Sequence, residues 1–121
     1  MLARYLSRLV LFVIFTFALP SYGTDELGKE AFLNNGCSKC HAIESLAVEK
    51  EMNPETGKIS KGPDLSKTGL DHDADWFVKW LKRKVGQEND RGKVLKHKKT
   101  YKGTDEDLQL IVAFLQARKP A

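Results

Sequence analysis

The sequence predicts an all-α domain. Apolar residues recur at helical spacing in three segments, at residues 24–35, 73–85 and 105–117. Clusters of glycine, proline, asparagine and aspartate separate these segments, and no run of alternating β-branched residues indicates a strand. A chain of 121 residues has room for a single core. We therefore expect a few short helices joined by long loops.

The first 23 residues are expected to be a secretory signal peptide. Arg4 and Arg8 precede the apolar run LVLFVIFTFAL, and small residues follow before the expected cleavage site ahead of Thr24. The run is shorter than the about 20 apolar residues that span a bilayer. An uncleaved membrane anchor is the alternative. The domain would then comprise residues 24–121, and the protein would be periplasmic or otherwise exported.

The first predicted helix covers residues 24–35. Thr24 or Asp25 can cap its start, and acidic residues fall in its first turn. The sequence Asn34-Asn35-Gly36 is a good stop signal. These signals predict that the chain leaves the helix just before its two cysteines.

Two further helices are predicted after a long loop. Residues 42–61 are polar and contain the turn cluster NPETG, which indicates a loop or a short hairpin. The second helix should run from Asp73 to about Val85, and the third from Asp105 to Ala117 with Thr104 as its cap. The apolar faces comprise Trp76, Phe77, Trp80 and Leu81 on the second helix, and Leu108, Ile111, Val112 and Leu115 on the third.

The pentapeptide Cys37-Ser38-Lys39-Cys40-His41 is the attachment signature of c-type haem. Two thiols one turn apart can form thioethers with neighbouring vinyl groups, and the adjacent imidazole would lie under the iron. A thioredoxin-type dithiol would need a βαβ pattern, and a zinc site would need a second ligand pair at the usual spacing. The sequence therefore predicts one haem c, bound through Cys37 and Cys40, with His41 as its proximal ligand.

The whole pattern after the signal resembles the class I cytochromes c. Gly28 and Phe32 in the first helix and Phe114 in the last are similar to the close-contact and aromatic positions of that family. The resemblance implies an all-α fold in which the N- and C-terminal helices cross, with a tryptophan-bearing middle helix, around one covalently bound haem.

The segment Gly62-Pro63-Asp64-Leu65 is similar to the G-P-x-L segment of the same family. The proline carbonyl of that segment accepts a hydrogen bond from the proximal imidazole. The resemblance therefore implies that Pro63 orients His41, a role that metal-bound histidines nearly always need filled. A simple turn is the alternative interpretation of Pro63.

The second axial ligand departs from the family pattern. The family usually supplies a methionine from a loop before the last helix, whereas Met52 lies between the haem motif and GPDL. In mitochondrial-type relatives that methionine lies eighteen residues before the leucine of an aromatic-Leu pair, and eighteen residues before Leu115 is His97. A tryptophan that hydrogen-bonds a haem propionate lies twenty-one residues before the ligand, which corresponds to Trp76. The resemblance thus implies His97 as the distal ligand.

Several alternatives to this ligand stay open. His97 could be a solvated residue of a basic loop, which would leave the iron open to a small ligand. His72 fits better as part of a capped helix start. The remaining candidates are Lys96, Lys98, Lys99 and Met52.

These residues favour a carrier of single electrons over an enzyme, because two axial ligands leave no position for a substrate. A second imidazole in place of methionine predicts a reduction potential below that of His/Met relatives. One alternative is a haem protein whose open or labile distal site senses or processes a small molecule such as CO, NO or a sulfur compound. Another is the cytochrome subunit of an oxidoreductase complex.

The charge pattern indicates the kind of partner. Removing the signal leaves 18 of the 20 lysines and arginines against 16 acidic residues, so the mature chain is mildly basic. Residues 91–103 contain no acid, and their basic residues are Arg91, Lys93, Lys96, Lys98, Lys99 and Lys102. We expect this basic loop to steer an acidic redox protein, with plain solubility as the alternative. We expect a monomer that binds no nucleic acid, and that meets a membrane only if the signal is retained.

Overall fold

The computed structural model describes residues 22–120. The described residues form three α-helices and one β-hairpin: α1 (Tyr22–Asn34), α2 (Ala74–Leu81), β1 (Gly86–Glu88), β2 (Val94–Lys96) and α3 (Asp105–Gln116). Single-turn 3-10 helices cover Cys37–Lys39, Glu44–Leu46 and Thr68–Leu70. The predicted signal peptide lies outside the described residues, apart from its last two residues. No helix in the described part of the chain has the length and apolarity needed to cross a membrane.

Helices α1 and α3 pack tightly against each other. A Cβ atom on Gly28 would lie 2.5 Å from Cβ of Phe114 and 2.8 Å from the carbonyl oxygen of Leu110. The rings of Phe32 and Phe114 meet beside this contact, with centroids 5.8 Å apart and planes tilted by 57°. The contact predicted between the first and last helices is therefore confirmed, and Gly28 is what lets the two backbones approach.

The core lies between these helices and the segments that cover them. Its buried apolar residues in the described chain are Ala31, Phe32, Ile43, Val48, Phe77, Leu108, Ile111, Val112, Phe114 and Leu115. Helix α3 contributes half of these residues, because the apolar positions of its sequence fall on one face. Each such side chain contributes about 1.5–3 kcal/mol when it leaves water.

The start of α1 differs from the prediction. The helix already includes Tyr22, so neither Thr24 nor Asp25 is its cap. Asp25 instead forms an ion pair with the buried Arg118 guanidinium, whose Nε donates a hydrogen bond of 3.0 Å to the carbonyl of Phe114. The end of α1 agrees with the prediction, since the helix stops at Asn34 and Gly36 adopts a left-handed conformation with φ of 74°.

Helix α2 ends four residues earlier than predicted. Arg83 has φ of 58°, and the N–H of Lys84 donates to the carbonyl of Lys79 over 2.8 Å while that of Arg83 donates to Trp80 over 3.0 Å. This pair of bonds is a Schellman ending, which usually has glycine at the left-handed position. The sequence carries no glycine at this position, so the end of α2 could not be recognised from the sequence.

The β-hairpin was not predicted. Strands β1 and β2 pair antiparallel, with Gly86 opposite Lys96. The side-chain Oδ1 of Asn89 accepts hydrogen bonds of 3.0 Å from the N–H groups of Arg91 and Lys93 and so closes the turn. Each strand has three residues and is mostly exposed, which leaves no alternation of apolar and polar residues to detect. Part of the predicted basic loop is therefore a strand.

Two other predicted elements agree with the structure. Helix α3 ends one residue earlier than predicted, and the Thr104 side chain accepts a hydrogen bond of 3.2 Å from the N–H of Asp107, as expected of a cap. Residues 42–61 form a loop that contains the single-turn helix Glu44–Leu46. Its turn closes where the N–H of Asn53 donates to the carbonyl of Lys58 over 2.9 Å.

Candidate functional site

The two cysteines and the adjacent histidine occupy one turn of chain directly after α1. The N–H groups of Cys40 and His41 both donate to the carbonyl of Cys37, over 3.2 and 3.0 Å. Burial raises the pKa of the Cys37 thiol to about 11. A redox-active dithiol requires a lowered thiol pKa, so the environment of Cys37 does not favour that chemistry.

His41 is held in one tautomer. Its Nδ1 lies 2.8 Å from the carbonyl oxygen of Pro63, and because a carbonyl only accepts, Nδ1 must carry the proton. Burial lowers the pKa of His41, the Pro63 hydrogen bond partly opposes this, and the nearby charges of His97 and Lys50 lower the pKa further. The imidazole is therefore favoured in its neutral form, with the Nε2 lone pair available to a metal.

Hydrogen bonds fix the segment that carries Pro63. The N–H of Leu65 donates to the carbonyl of Ala42 over 2.9 Å, so the segment lies directly against the chain that leaves the motif. The carboxylate of Asp64 accepts from the N–H of Glu44 and from the hydroxyl of Ser66, each over 2.9 Å. These bonds position the Pro63 carbonyl independently of the histidine.

Gly62 permits the close approach of the two segments. A Cβ atom at this position would overlap the carbonyl of Cys40 and would lie 3.3 Å from Cε1 of His41. Any larger residue would push Pro63 away from the imidazole. Gly62 therefore belongs to the GPDL motif and is also required by the close packing of these two segments.

His97 follows strand β2 and is also held by a backbone carbonyl. Its Nδ1 lies 2.6 Å from the carbonyl oxygen of Lys99, which again places the proton on Nδ1 and leaves Nε2 free. The N–H of Tyr101 donates to the carbonyl of Leu81 over 2.8 Å and ties this loop to the end of α2. The residue lies in a partly buried position on an otherwise exposed loop.

The structure brings His41 and His97 together. Their ring centroids are 6.1 Å apart, and the ring planes differ by 17°. A metal-bound imidazole nitrogen lies about 2 Å from its metal, so two imidazoles on opposite sides of one ion have centroids about 6 Å apart. Together with the two cysteines that precede His41 in the chain, these residues have the ring spacing and the donor atoms to hold a haem.

The other candidate residues lie along α2. Trp76 stacks on the ring of His72 at 3.4 Å and on that of Trp80 at 5.1 Å, while Trp80 meets His97 edge-on at 5.6 Å. His72 contacts Trp76 and Phe77. The structure thus places His72 in an aromatic stack and His97 beside His41.

Met52 lies on an open cavity of about 650 Å³ that Cys40 and Lys99 also line. Its side chain is 59% exposed. Lys99 is two residues from His97, so the cavity reaches the loop that carries the predicted distal ligand. Met52 therefore stays a candidate ligand beside His97.

Sequence reasoning missed three contributors to the site. These are Trp80, which was assigned only to an apolar face, the carbonyl of Lys99, and Gly62 as a packing requirement. The spacing of Trp76 and Trp80 by four residues was a signal that the two rings lie on one face. No sequence signal identifies a backbone carbonyl as an acceptor.

The comparisons with known proteins agree with this geometry. The cytochrome c family model matches residues 26–119, which is well over half of the chain. Neither a curated protein nor a solved structure matches it. Cytochromes c carry a covalently bound haem c, and Cys37, Cys40 and His41 are consistent with its attachment motif. The chain therefore belongs to the cytochrome c family, with the all-α class I fold and haem-based electron transfer as its function.

Proposed function

We propose that the protein is an exported carrier of single electrons in which His41 and His97 bind the iron of one haem c from opposite sides. The proposal rests on the distance of 6.1 Å between the ring centroids of His41 and His97, which suits one metal ion between two imidazoles. Each Nδ1 is hydrogen-bonded to a carbonyl, so the unprotonated Nε2 of each ring is available to bind a metal.

The other residues hold and orient the group. Cys37 and Cys40 attach it, the Pro63 carbonyl fixes the rotation of His41, and Trp76 binds a propionate. When bound, the haem supplies reversible one-electron oxidation and reduction at its iron. Two histidines bound to the iron would leave no position for a substrate and would give a reduction potential below that of His/Met relatives.

Electron paramagnetic resonance of the oxidised holoprotein at low temperature, together with near-infrared magnetic circular dichroism, tests the ligands. We expect a low-spin bis-imidazole signature that His97→Ala abolishes. His72→Ala and Met52→Leu are the matched controls, since each removes another possible ligand, and both should keep the wild-type spectrum. His97→Met should replace the signature by that of a His/Met pair and raise the reduction potential.

A high-spin wild-type spectrum would contradict the proposal and would support an open distal site for small molecules. An unchanged spectrum in His97→Ala would contradict it as well. Loss of the signature in Met52→Leu or His72→Ala instead would assign the ligand to that residue.

The basic loop is proposed as the docking surface for an acidic redox protein. All of its basic side chains, Arg91, Lys93, Lys96, Lys98, Lys99 and Lys102, are exposed. The rate of electron exchange with an acidic protein should fall with ionic strength. Lys98→Glu should reduce this rate at low salt, whereas Lys119→Glu, beyond α3, should not. Equal effects of the two substitutions would indicate that only the net charge matters.

Export is proposed because the first 23 residues have the pattern of a signal peptide. Mass spectrometry of the holoprotein from a periplasmic fraction should give a chain that begins at Thr24. A full-length chain in the membrane fraction would instead show a retained anchor, and a cytoplasmic holoprotein would contradict export.

A further inference from the structure

Trp80 is the aromatic side chain of α2 that meets His97. The two ring centroids lie 5.6 Å apart with planes at 61°, so the rings meet edge to face. On another side the Lys99 carbonyl accepts the hydrogen bond from Nδ1. The His97 ring therefore has two neighbours of different kinds, a fixed acceptor and a packed aromatic ring.

Trp80 itself has little freedom to move. Its ring stacks on Trp76 at 5.1 Å with planes 14° apart, and Trp76 stacks in turn on His72 at 3.4 Å and meets the edge of Phe77 at 5.5 Å. Phe77 is 2% exposed and belongs to the core. The stack thus extends from the core to His97 and supports Trp80 from behind.

The restraint is needed because the loop around His97 has few packed side chains of its own. Val94 and Leu95 in the preceding strand are 65% and 44% exposed, and every residue from 98 to 100 is exposed. The hydrogen bond at Nδ1 joins His97 to Lys99 on the same loop, so this bond does not anchor the ring to the rest of the fold. The contact with Trp80 does, because Trp80 belongs to α2.

We propose that Trp80 is a positioning residue for the distal ligand: it holds the His97 ring nearly parallel to the His41 ring and slows its release from the metal. This inference rests on the proposed function, in which His97 is that ligand. Trp80 acts through His97.

Two measurements on the oxidised holoprotein test the role. The anisotropy of the low-spin resonance reports the angle between the two imidazole planes, so Trp80→Leu should shift its g values. The rate at which cyanide binds reports release of the distal histidine, and it should rise about threefold to tenfold in Trp80→Leu. Trp80→Phe keeps an aromatic edge and should lie close to wild type on both measures.

Val78→Ala is the matched control, since it also removes apolar volume from α2 and Val78 packs against the core. It should lower the stability without changing the g values or the cyanide rate. If Trp80→Leu does not fold, Trp80→Gln also removes the ring at this partly exposed position, and unchanged g values and cyanide rates in that variant would overturn the role.

The outcomes separate the two proposals. A wild-type bis-imidazole spectrum that disappears in His97→Ala, with g values and cyanide rates in Trp80→Leu equal to wild type, would overturn the role of Trp80 alone. A wild-type spectrum without two imidazoles would overturn both proposals. Equal changes in Val78→Ala and Trp80→Leu would show that the effect comes from general loss of packing and would also reject the positioning role.

Discussion

The two candidate ligands are held in different ways. On the proximal side, which comprises residues 37–41 and 62–65, His41 follows its cysteines directly and its carbonyl acceptor comes from a segment bonded to the next residues of the chain. On the distal side, which comprises α2, the hairpin and residues 97–101, His97 depends on a stack of rings and on one backbone bond to α2. The proximal side is held by hydrogen bonds between two backbone segments, whereas the distal side depends largely on contacts between aromatic side chains.

This difference implies that a substitution on one side should leave the structure of the other side intact. Damage to the proximal side should remove the covalent attachment or unfold the protein, because its hydrogen bonds also join the loop to the core. Damage to the distal side should release one ligand and leave the rest folded. The following predictions test this separation, beginning with the largest expected effect.

Replacing both Cys37 and Cys40 with alanine should abolish the covalent attachment completely. Haem staining after denaturing electrophoresis measures it directly. Ser38→Ala is the control within the same motif: the hydroxyl is buried and has no hydrogen-bond partner among the described residues, so its loss should be neutral or slightly stabilising. Covalent haem in the double variant would refute attachment at these residues.

Gly62→Ala should destabilise the holoprotein by about 3 kcal/mol, because the new methyl group overlaps the Cys40 carbonyl and the strain cannot be relieved by a side chain. Guanidinium unfolding measures the change. Gly57 is the comparison: it has φ of 65° but open space around it, so Gly57→Ala should cost only about 1 kcal/mol of backbone strain. Equal costs at the two positions would mean that the proximal packing is not tight.

Asn89→Ala should lower the free energy of local unfolding of the hairpin by about 1 kcal/mol, since it removes the acceptor of two backbone N–H groups in the turn. Hydrogen exchange of the amides in residues 86–101 should accelerate about fivefold while α1 and α3 remain protected. Asn53 caps the turn of the long loop in the same manner. Asn53→Ala should leave the exchange of residues 86–101 unchanged, and acceleration there would show that the two sides are coupled.

The smallest effect concerns the pH dependence of the proximal side. Burial alone would raise the pKa of Asp64, but hydrogen bonds from the Glu44 N–H and the Ser66 hydroxyl lower it below its usual value. A lowered pKa means that Asp64 stabilises the fold at neutral pH and that this contribution is lost as the pH falls below about 4. Because the carboxylate is largely exposed, the contribution should stay below about 1 kcal/mol.

Acid unfolding monitored by circular dichroism checks this expectation. Asp64→Asn should be less stable than wild type at pH 7 and should show a shallower loss of stability below about pH 4. Glu49→Gln, an exposed carboxylate on the same loop, is the control and should follow the wild-type curve. A steeper loss in Asp64→Asn would contradict the direction of the pKa shift.

Local signals determined much of what could be predicted. Asn34-Asn35-Gly36 marked the end of α1, Thr104 marked the start of α3, and the spacing of Cys37 and Cys40 marked the attachment motif. In each case the physical cause lies within a few residues: a left-handed glycine, a hydroxyl that accepts an N–H, or two thiols on one turn. Such causes are readable without knowledge of the fold.

The errors arose where a distant partner or an unusual conformation decided the outcome. Asp25 was expected to cap α1, but it pairs with Arg118 at the other end of the chain. The end of α2 was missed because Arg83 adopts a conformation that favours glycine. The hairpin was missed because its short exposed strands are stabilised by Asn89 and by pairing with each other.

The sequence by itself determined the fold class, the three helical segments and the family to which the chain belongs, because helical periodicity and a haem motif are properties of neighbouring residues. Only the tertiary structure decided that the His41 and His97 rings lie 6.1 Å apart and that Trp80 meets His97 edge-on. These distances depend on how α2 and the hairpin pack around the core. Packing joins residues far apart in the chain, and no local pattern encodes the separation of two such rings.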